Sequence, residues 1–195
     1  MKIKVGVSNR HIHLTKEVYE KLFDEKLEIL RNLDQPGQFA AKQTVTIKNE
    51  NGSFDNVRIV GPLREYNQIE ISKTDSFKLK ENPPIRTSGD LEGSLPITII
   101  GPKGSIDLDK GLIIANRHIH LTKEDIKKYN LENTEKVAIK IKGEKAGILK
   151  NVYLKVTKEA SLRLHLDTDD ANAFNLTNDE IVEVLKERNE ENEIK

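Results

Sequence analysis

The chain has 195 residues, enough for one large or two small domains with a real core. Its 32 basic and 32 acidic side chains cancel, so no global field draws it to nucleic acid or an anionic membrane, and any anionic ligand must be met by local basic residues. With no cysteine, thiolate metal ligands and cysteine nucleophiles are excluded and a reducing compartment is favoured. At the N-terminus Ile3, Val5 and Val7 alternate with Lys2, Lys4 and Gly6, which predicts a strand and contains no apolar run long enough for a signal peptide or a membrane span. A cytoplasmic protein is the simplest expectation.

That strand delivers His11-Ile-His13 at its end. Thr15 then caps a predicted helix over Lys16 to Phe23, with Val18, Tyr19, Leu22 and Phe23 as its apolar stripe. Asp34-Gln-Pro-Gly-Gln38 is a turn. Beyond it, Val45/Ile47 and Val57/Ile59 alternate on either side of Asn49-Glu-Asn-Gly-Ser53, a hairpin signal. The stretch from Glu81 to Ser94 is loop-rich and separates the halves of the chain. The plan then repeats: a strand over Gly111 to Ala115, His118-Ile-His120, a helix capped by Thr122, and a hairpin of Val137/Ile139/Ile141 with Val152/Leu154/Val156. Thr177-Asn-Asp-Glu180 has the pattern of a capping box and predicts a helix through about Lys186. Glu187 to Lys195 reads as a frayed polar tail.

The repeat is identical over Asn9 to Glu17 and Asn116 to Glu124. In a strand the two histidines of each His-Ile-His point to one face and the isoleucine to the other, so each pair is half of a metal site. The repeat continues further on. Ile69-Glu-Ile-Ser-Lys-Thr-Asp75 aligns with Leu164-His-Leu-Asp-Thr-Asp-Asp170, which sets Glu70 opposite His165 and accounts for the fifth and last histidine. The sets His11/His13/Glu70 and His118/His120/His165 are both zinc-type donor sets that leave a fourth position open for substrate. Iron, cobalt and copper also accept imidazole.

Arg64, at the end of Gly61-Pro-Leu-Arg64, is either a guanidinium fixed to grip phosphate or carboxylate in two-pronged fashion or a solvated turn arginine. Arg10 and Arg117, each just before a His-Ile-His, have the same two readings, with carboxylates of their own domain as partners in the second. Ser8 has neither an adjacent base nor nucleophile-elbow glycines, and the chain has no phosphate-cradling glycine loop. Two further readings stay open. The spacing from His11-Ile-His13 to Glu17, repeated at Glu124, also fits a two-domain cupin. A noncatalytic, metal-stapled binding module is the other.

Over nearly its whole length the chain resembles the phosphate propanoyltransferases, phosphotransacylases associated with bacterial microcompartments. The resemblance is carried by Ser8-Asn-Arg-His-Ile-His-Leu14, Gln35-Pro-Gly-Gln-Phe-Ala-Ala41, Gly61-Pro-Leu-Arg64, Glu70-Ile-Ser72, Ser88-Gly-Asp90, Asn116-Arg-His-Ile-His120 and His165-Leu-Asp-Thr-Asp169. It implies a mainly β fold: two small β-barrel domains related by internal duplication, over 10–115 and 116–195, each with short capping helices and with strand 1–9 packing on the second. It also implies a two-zinc site with ligands His11, His13 and Glu70 for one ion and His118, His120 and His165 for the other.

The resemblance further implies reversible transfer of a short acyl group, propanoyl or acetyl, between coenzyme A and phosphate. The first metal meets the coenzyme A sulfur and Arg64 contacts phosphate. Contacts to coenzyme A fall on Ser8, Arg58, His165 and Asn172, and on Arg31, where lysine is the more familiar residue. Encapsulated members carry an N-terminal extension that directs them into the compartment shell, whereas this chain starts at the strand. A small homo-oligomer and association with microcompartment enzymes complete the expectation.

Overall fold

A computed structural model describes residues 1–186, and the polar tail expected over Glu187 to Lys195 lies outside the described residues. The chain forms two compact units. One spans Ser8–Asn116, and the other combines Met1–Val7 with the chain from Arg117 onward. In chain order the elements of the first half are β1 (Lys2–Ser8), β2 (His11–His13), α1 (Lys16–Leu22), β3 (Ile29–Asn32), β4 (Phe39–Lys48), β5 (Ser53–Gly61), β6 (Gln68–Glu70), α2 (Lys73–Leu79), β7 (Ile85–Arg86), β8 (Leu95–Gly101) and β9 (Gly104–Ala115). The second half supplies β10 (His118–Leu121), α3 (Lys123–Lys128), β11 (Lys136–Ile141), β12 (Gly147–Val156), β13 (Arg163–Asp167), α4 (Thr168–Ala173) and β14 (Ile181–Lys186).

Each unit is a closed six-stranded barrel, as the resemblance implies. In the unit of the first repeat the ring runs β4-β5-β2-β6-β9-β8 and closes where β8 pairs with β4; β3 and β7 attach outside it. In the other unit the ring is β1-β13-β10-β12-β11-β14, closed by β14 on β1. Every ring strand of one has a counterpart in the other, including the parallel pairing of each His-Ile-His strand with the second strand of its hairpin. The strand preceding each His-Ile-His belongs to the other repeat's barrel: β1 precedes β2 but pairs with β14, and β9 precedes β10 but pairs with β6 and β8. Closure leaves no unpaired edge in either ring, which short strands need in order to be stable.

The interiors are aliphatic. Ile12, Ile59, Ile69, Ile99 and Leu112 are fully buried in one barrel, and Ile119, Leu121, Val137, Ile139 and Leu164 in the other. The helices are short and held by their caps. Thr15 accepts from the Val18 N–H, while Ser72 with Asp75 and Thr122 with Asp125 form complete capping boxes. Gly111 directly precedes Leu112, the residue of β9 that pairs with both β8 and β6. Its φ is +135°, and a Cβ there would stand 2.9 Å from the Asn67 carbonyl oxygen, so only glycine fits.

Three expectations need correction. β3 and β8 were not legible as strands, and β9 begins well before Gly111. The His-Ile-His segments are separate three- and four-residue strands rather than the ends of β1 and β9. The helix expected after Thr177 is instead strand β14. The Thr177–Glu180 contacts do form, with Glu180 Oε1 accepting from the Thr177 N–H at 2.8 Å and its hydroxyl at 2.7 Å. The chain then turns through Asp179 at φ +68°, its N–H bonds the Val5 carbonyl, and the β-branched run that follows closes the barrel. The barrel needs a sixth strand there, and Ile181-Val-Glu-Val suits a strand better than a helix.

Burial in β14 alternates, with Val182 and Val184 inside and Ile181 at 66% exposure. Val182→Asp and Val184→Asp should each destabilise the protein by about 3 kcal/mol or more, because they bury an unpaired charge. Ile181→Asp should stay within about 0.5 kcal/mol of wild type. Urea unfolding checks this, and equal costs at 181 and 182 would contradict the strand.

Candidate metal centres

The alternation of β2 fixes the first cluster. Ile12 is fully buried in the core, so His11 and His13 emerge together on the opposite face. Antiparallel pairing with β6 puts Glu70 directly across from His11 and Gln68 across from His13. His11 Nε2 lies 3.4 Å from Glu70 Oε2, and His13 Nε2 lies 3.9 Å from Glu70 Oε1. Each ring turns its other nitrogen to a backbone carbonyl. His11 Nδ1 is 2.9 Å from the Asn9 oxygen and His13 Nδ1 is 3.0 Å from the Val60 oxygen. Donation to a carbonyl fixes the Nδ1–H tautomer and aims the Nε2 lone pair at Glu70, the arrangement that orients histidines as metal ligands. Burial, followed by the nearby His11 and Arg64, lowers the His13 pKa to about 3 against the opposing pull of Glu70, so its imidazole is neutral.

The second cluster repeats this register. His118 faces His165, His120 faces Arg163, and the fully buried Ile119 lies between the two histidines. His118 Nε2 and His120 Nε2 are 3.1 Å apart, and the His165 ring lies 5.4 Å from the first ring centre and 4.7 Å from the second. Two nitrogen lone pairs so close repel each other unless a proton or a cation joins them.

In both clusters the three donor atoms lie within 4.8 Å of one another. Ligands about 2.0–2.1 Å from a tetrahedral zinc stand roughly 3.3–3.5 Å apart, so the observed 3.1 Å between His118 Nε2 and His120 Nε2 and 3.4 Å between His11 Nε2 and Glu70 Oε2 fit such an ion with little adjustment. Imidazole and carboxylate without thiol is also a donor set suited to zinc or another divalent transition metal. The glutamates of the cupin spacing are elsewhere. Glu17 is exposed in the first turn of α1, where Lys21 Nζ is 2.7 Å from its carboxylate, and Glu124 is exposed in the first turn of α3. A capped helix follows each His-Ile-His, and it carries these glutamates out of the strand.

The arginines divide by role. Arg10 grips Asp75 with two hydrogen bonds, Nε to Oδ2 at 3.1 Å and an Nη to Oδ1 at 2.6 Å, and stacks on Phe54. Its repeat counterpart Arg117 pairs with Asp170 at 3.3 Å. Asp75 and Asp170 occupy the same position in α2 and α4, so each pair ties a helix start to the strand that carries the histidines. Burial holds the Asp167 and Asp170 carboxyls above their ordinary pKa, with Arg117 pulling Asp170 back down. These arginines are therefore structural. Arg64 differs. Among the described residues it pairs with no carboxylate; its guanidinium donates to the Tyr66 hydroxyl at 2.8 Å, and its charge is felt at His13.

The remaining candidates are dispersed. Ser8 ends β1 and is half-buried; Arg31 is exposed on β3, which lies against β4. Arg58 on β5 pairs in register with His11 and donates to the Ala41 and Lys42 carbonyls. Asn172 is exposed in α4, in the same unit as His165. Two polar residues escaped the sequence reading: Tyr66, and Gln68, whose amide reaches Glu70. Gln68 had a usable signal, because it stands two residues before Glu70 and shares its face of the strand.

Residues 4–177 match the family model described as phosphate propanoyltransferase. The chain is 45% identical over 187 residues to the phosphate propanoyltransferase of Thermotoga maritima, covering 94% of this chain and 89% of that protein. It is 42% identical over 186 residues to that of Rhodopseudomonas palustris, covering 94% and 82%. It is 43% identical over 185 residues to that of Lachnoclostridium phytofermentans, covering 94% and 87%.

Arg10→Met should cost about 2 kcal/mol, because the Asp75 side chain, 8% exposed, is left without its cation. Lys21→Met, which removes an exposed pair, should cost about 0.5 kcal/mol or less. Thermal unfolding of the two variants checks the order, and equal shifts would contradict a structural role for Arg10.

Proposed function

The chain belongs to the phosphate propanoyltransferase family and is an acyltransferase; from that premise we propose that it interconverts a short-chain acyl-CoA and phosphate with acyl phosphate and coenzyme A, using two zinc ions. The single observation that carries this reading is the duplicated donor register, with Glu70 across from His11 and His165 across from His118. Two three-donor sets, each one ligand short of a tetrahedral shell, suit carbonyl and thiolate chemistry without a protein nucleophile.

In the proposed reaction a phosphate oxygen attacks the thioester carbonyl carbon. The C–O bond forms, the C–S bond breaks, and the proton of hydrogen phosphate ends on the coenzyme A sulfur. Zinc held by His11, His13 and Glu70, and by His118, His120 and His165, supplies Lewis acidity and an open position for an oxygen or sulfur. The rest falls to the chain's own groups. Arg64 offers phosphate a planar fork of donors, and its bond to Tyr66 limits the fork's freedom, so phosphate is held in line at a low entropic cost. Carbonyl contacts at Nδ1 orient the rings of His11 and His13 and direct their ligating lone pairs to Nε2. Ser8, Arg31 and Arg58 are the candidate coenzyme A contacts of one unit, and His165 and Asn172 are those of the other.

The acyl group proposed is propanoyl or acetyl. One methylene in an apolar pocket separates them by only about 1–3 kcal/mol, so activity on both is expected.

Release of free thiol from propanoyl-CoA or acetyl-CoA should depend on phosphate and be lost after metal chelation. Arg64→Ala should lower kcat/KM for phosphate by about 10²–10³-fold, the scale of losing a charged oxyanion contact. Unchanged phosphate dependence in Arg64→Ala would remove that residue from the mechanism. No turnover with either thioester in zinc-loaded protein would instead favour a noncatalytic metal-stapled module.

A further inference from the structure

We propose that Gln68 is a positioning residue that holds the Glu70 carboxylate so that only one of its oxygens faces the metal. The inference rests on the metal reading above. Gln68 is fully buried, and all three of its amide contacts are made within the protein. Its Oε1 accepts the Gly89 N–H at 2.7 Å. A backbone N–H can only donate, so this contact fixes which end of the amide is which and turns both Nε2 hydrogens the other way. One hydrogen goes to Glu70 Oε1 at 2.6 Å and the other to Ser88 Oγ at 2.9 Å.

The consequence appears in the carboxylate. Glu70 Oε1 is engaged by the amide and stands back at 3.9 Å from His13 Nε2, whereas Oε2 comes closer to a histidine donor atom, 3.4 Å from His11 Nε2. A short bond to a buried amide stabilises the carboxylate rotamer and draws Oε1 away from two-pronged ligation. One-pronged ligation keeps the donor count at three and preserves the open fourth position.

Gln68 also links the carboxylate to the Ser88-Gly89 loop. Gly89 has φ +101°, and a Cβ there would come within 3.6 Å of the Tyr66 hydroxyl, the group that receives Arg64. The loop that presents the N–H to Gln68 thus lies against the tyrosine that orients the phosphate-binding arginine.

The test is a Co(II) titration of the full chain stripped of metal, following the visible absorption of the bound ion and its stoichiometry. Wild type should take two equivalents. Gln68→Met and Gln68→Leu remove the amide at similar volume and should weaken one equivalent by about 10–100-fold and change its absorption band, leaving the other untouched. Ser88→Ala breaks the loop contact but spares the bond to Glu70, so it should bind both equivalents as tightly as wild type. Two tight equivalents with unchanged spectra in the Gln68 variants would overturn the inference. Equal weakening by Ser88→Ala would also overturn it, because Gln68 would then act only by anchoring the loop. Fewer than two equivalents in wild type would instead sink the metal reading itself.

Discussion

The side-chain alternation of a three-residue strand sets the whole arrangement. Ile12 and Ile119 are fully buried, and each contributes roughly 2–3 kcal/mol by leaving water. The flanking imidazoles have no choice but to stand on the other face. A neighbouring strand on either side locks the depth of this short segment: β5 and β12 run parallel to it and β6 and β13 antiparallel. A slip of one residue would bury two histidines in an aliphatic core and expose the isoleucine, so register and donor geometry stand or fall together.

From that constraint follows the inequality of the two clusters. The residue across from the first histidine must point to the same side, and the repeat places glutamate there once and histidine once. A divalent ion on two neutral imidazoles and a carboxylate keeps one net positive charge, whereas on three imidazoles it keeps two. With a metal bound at each, as proposed, the two centres would thus be unequal Lewis acids on one architecture. The arginine–aspartate pairs before each strand are shared by both repeats, which fits their part in folding, while Arg64 follows only the first hairpin.

Much of this was legible from residue order. Nine identical residues announced the repeat, and the Ile69–Asp75 match to Leu164–Asp170 found the third donor of each set, because both segments end a strand and cap a helix at the same position. Where local signals misled, a nonlocal demand won. The Thr177–Glu180 hydrogen bonds exist, yet closing the barrel between β1 and β11 drew Ile181–Lys186 into a strand. β3 was missed because all four of its residues are exposed and show no alternation. Gln68 was missed for another reason: a glutamine in a strand looks like a solvated polar residue until the Ser88-Gly89 loop covers it.

The central claim is that two unequal three-donor sets each hold a metal ion. Anomalous scattering measured on either side of the zinc absorption edge from crystals of the zinc-loaded protein tests it most directly. The account predicts two peaks per chain, one within about 2.0–2.2 Å of His11 Nε2, His13 Nε2 and one Glu70 oxygen, and one at the same range from His118, His120 and His165. A single peak, or a peak at Glu17 or Glu124 in place of Glu70 or His165, would contradict it.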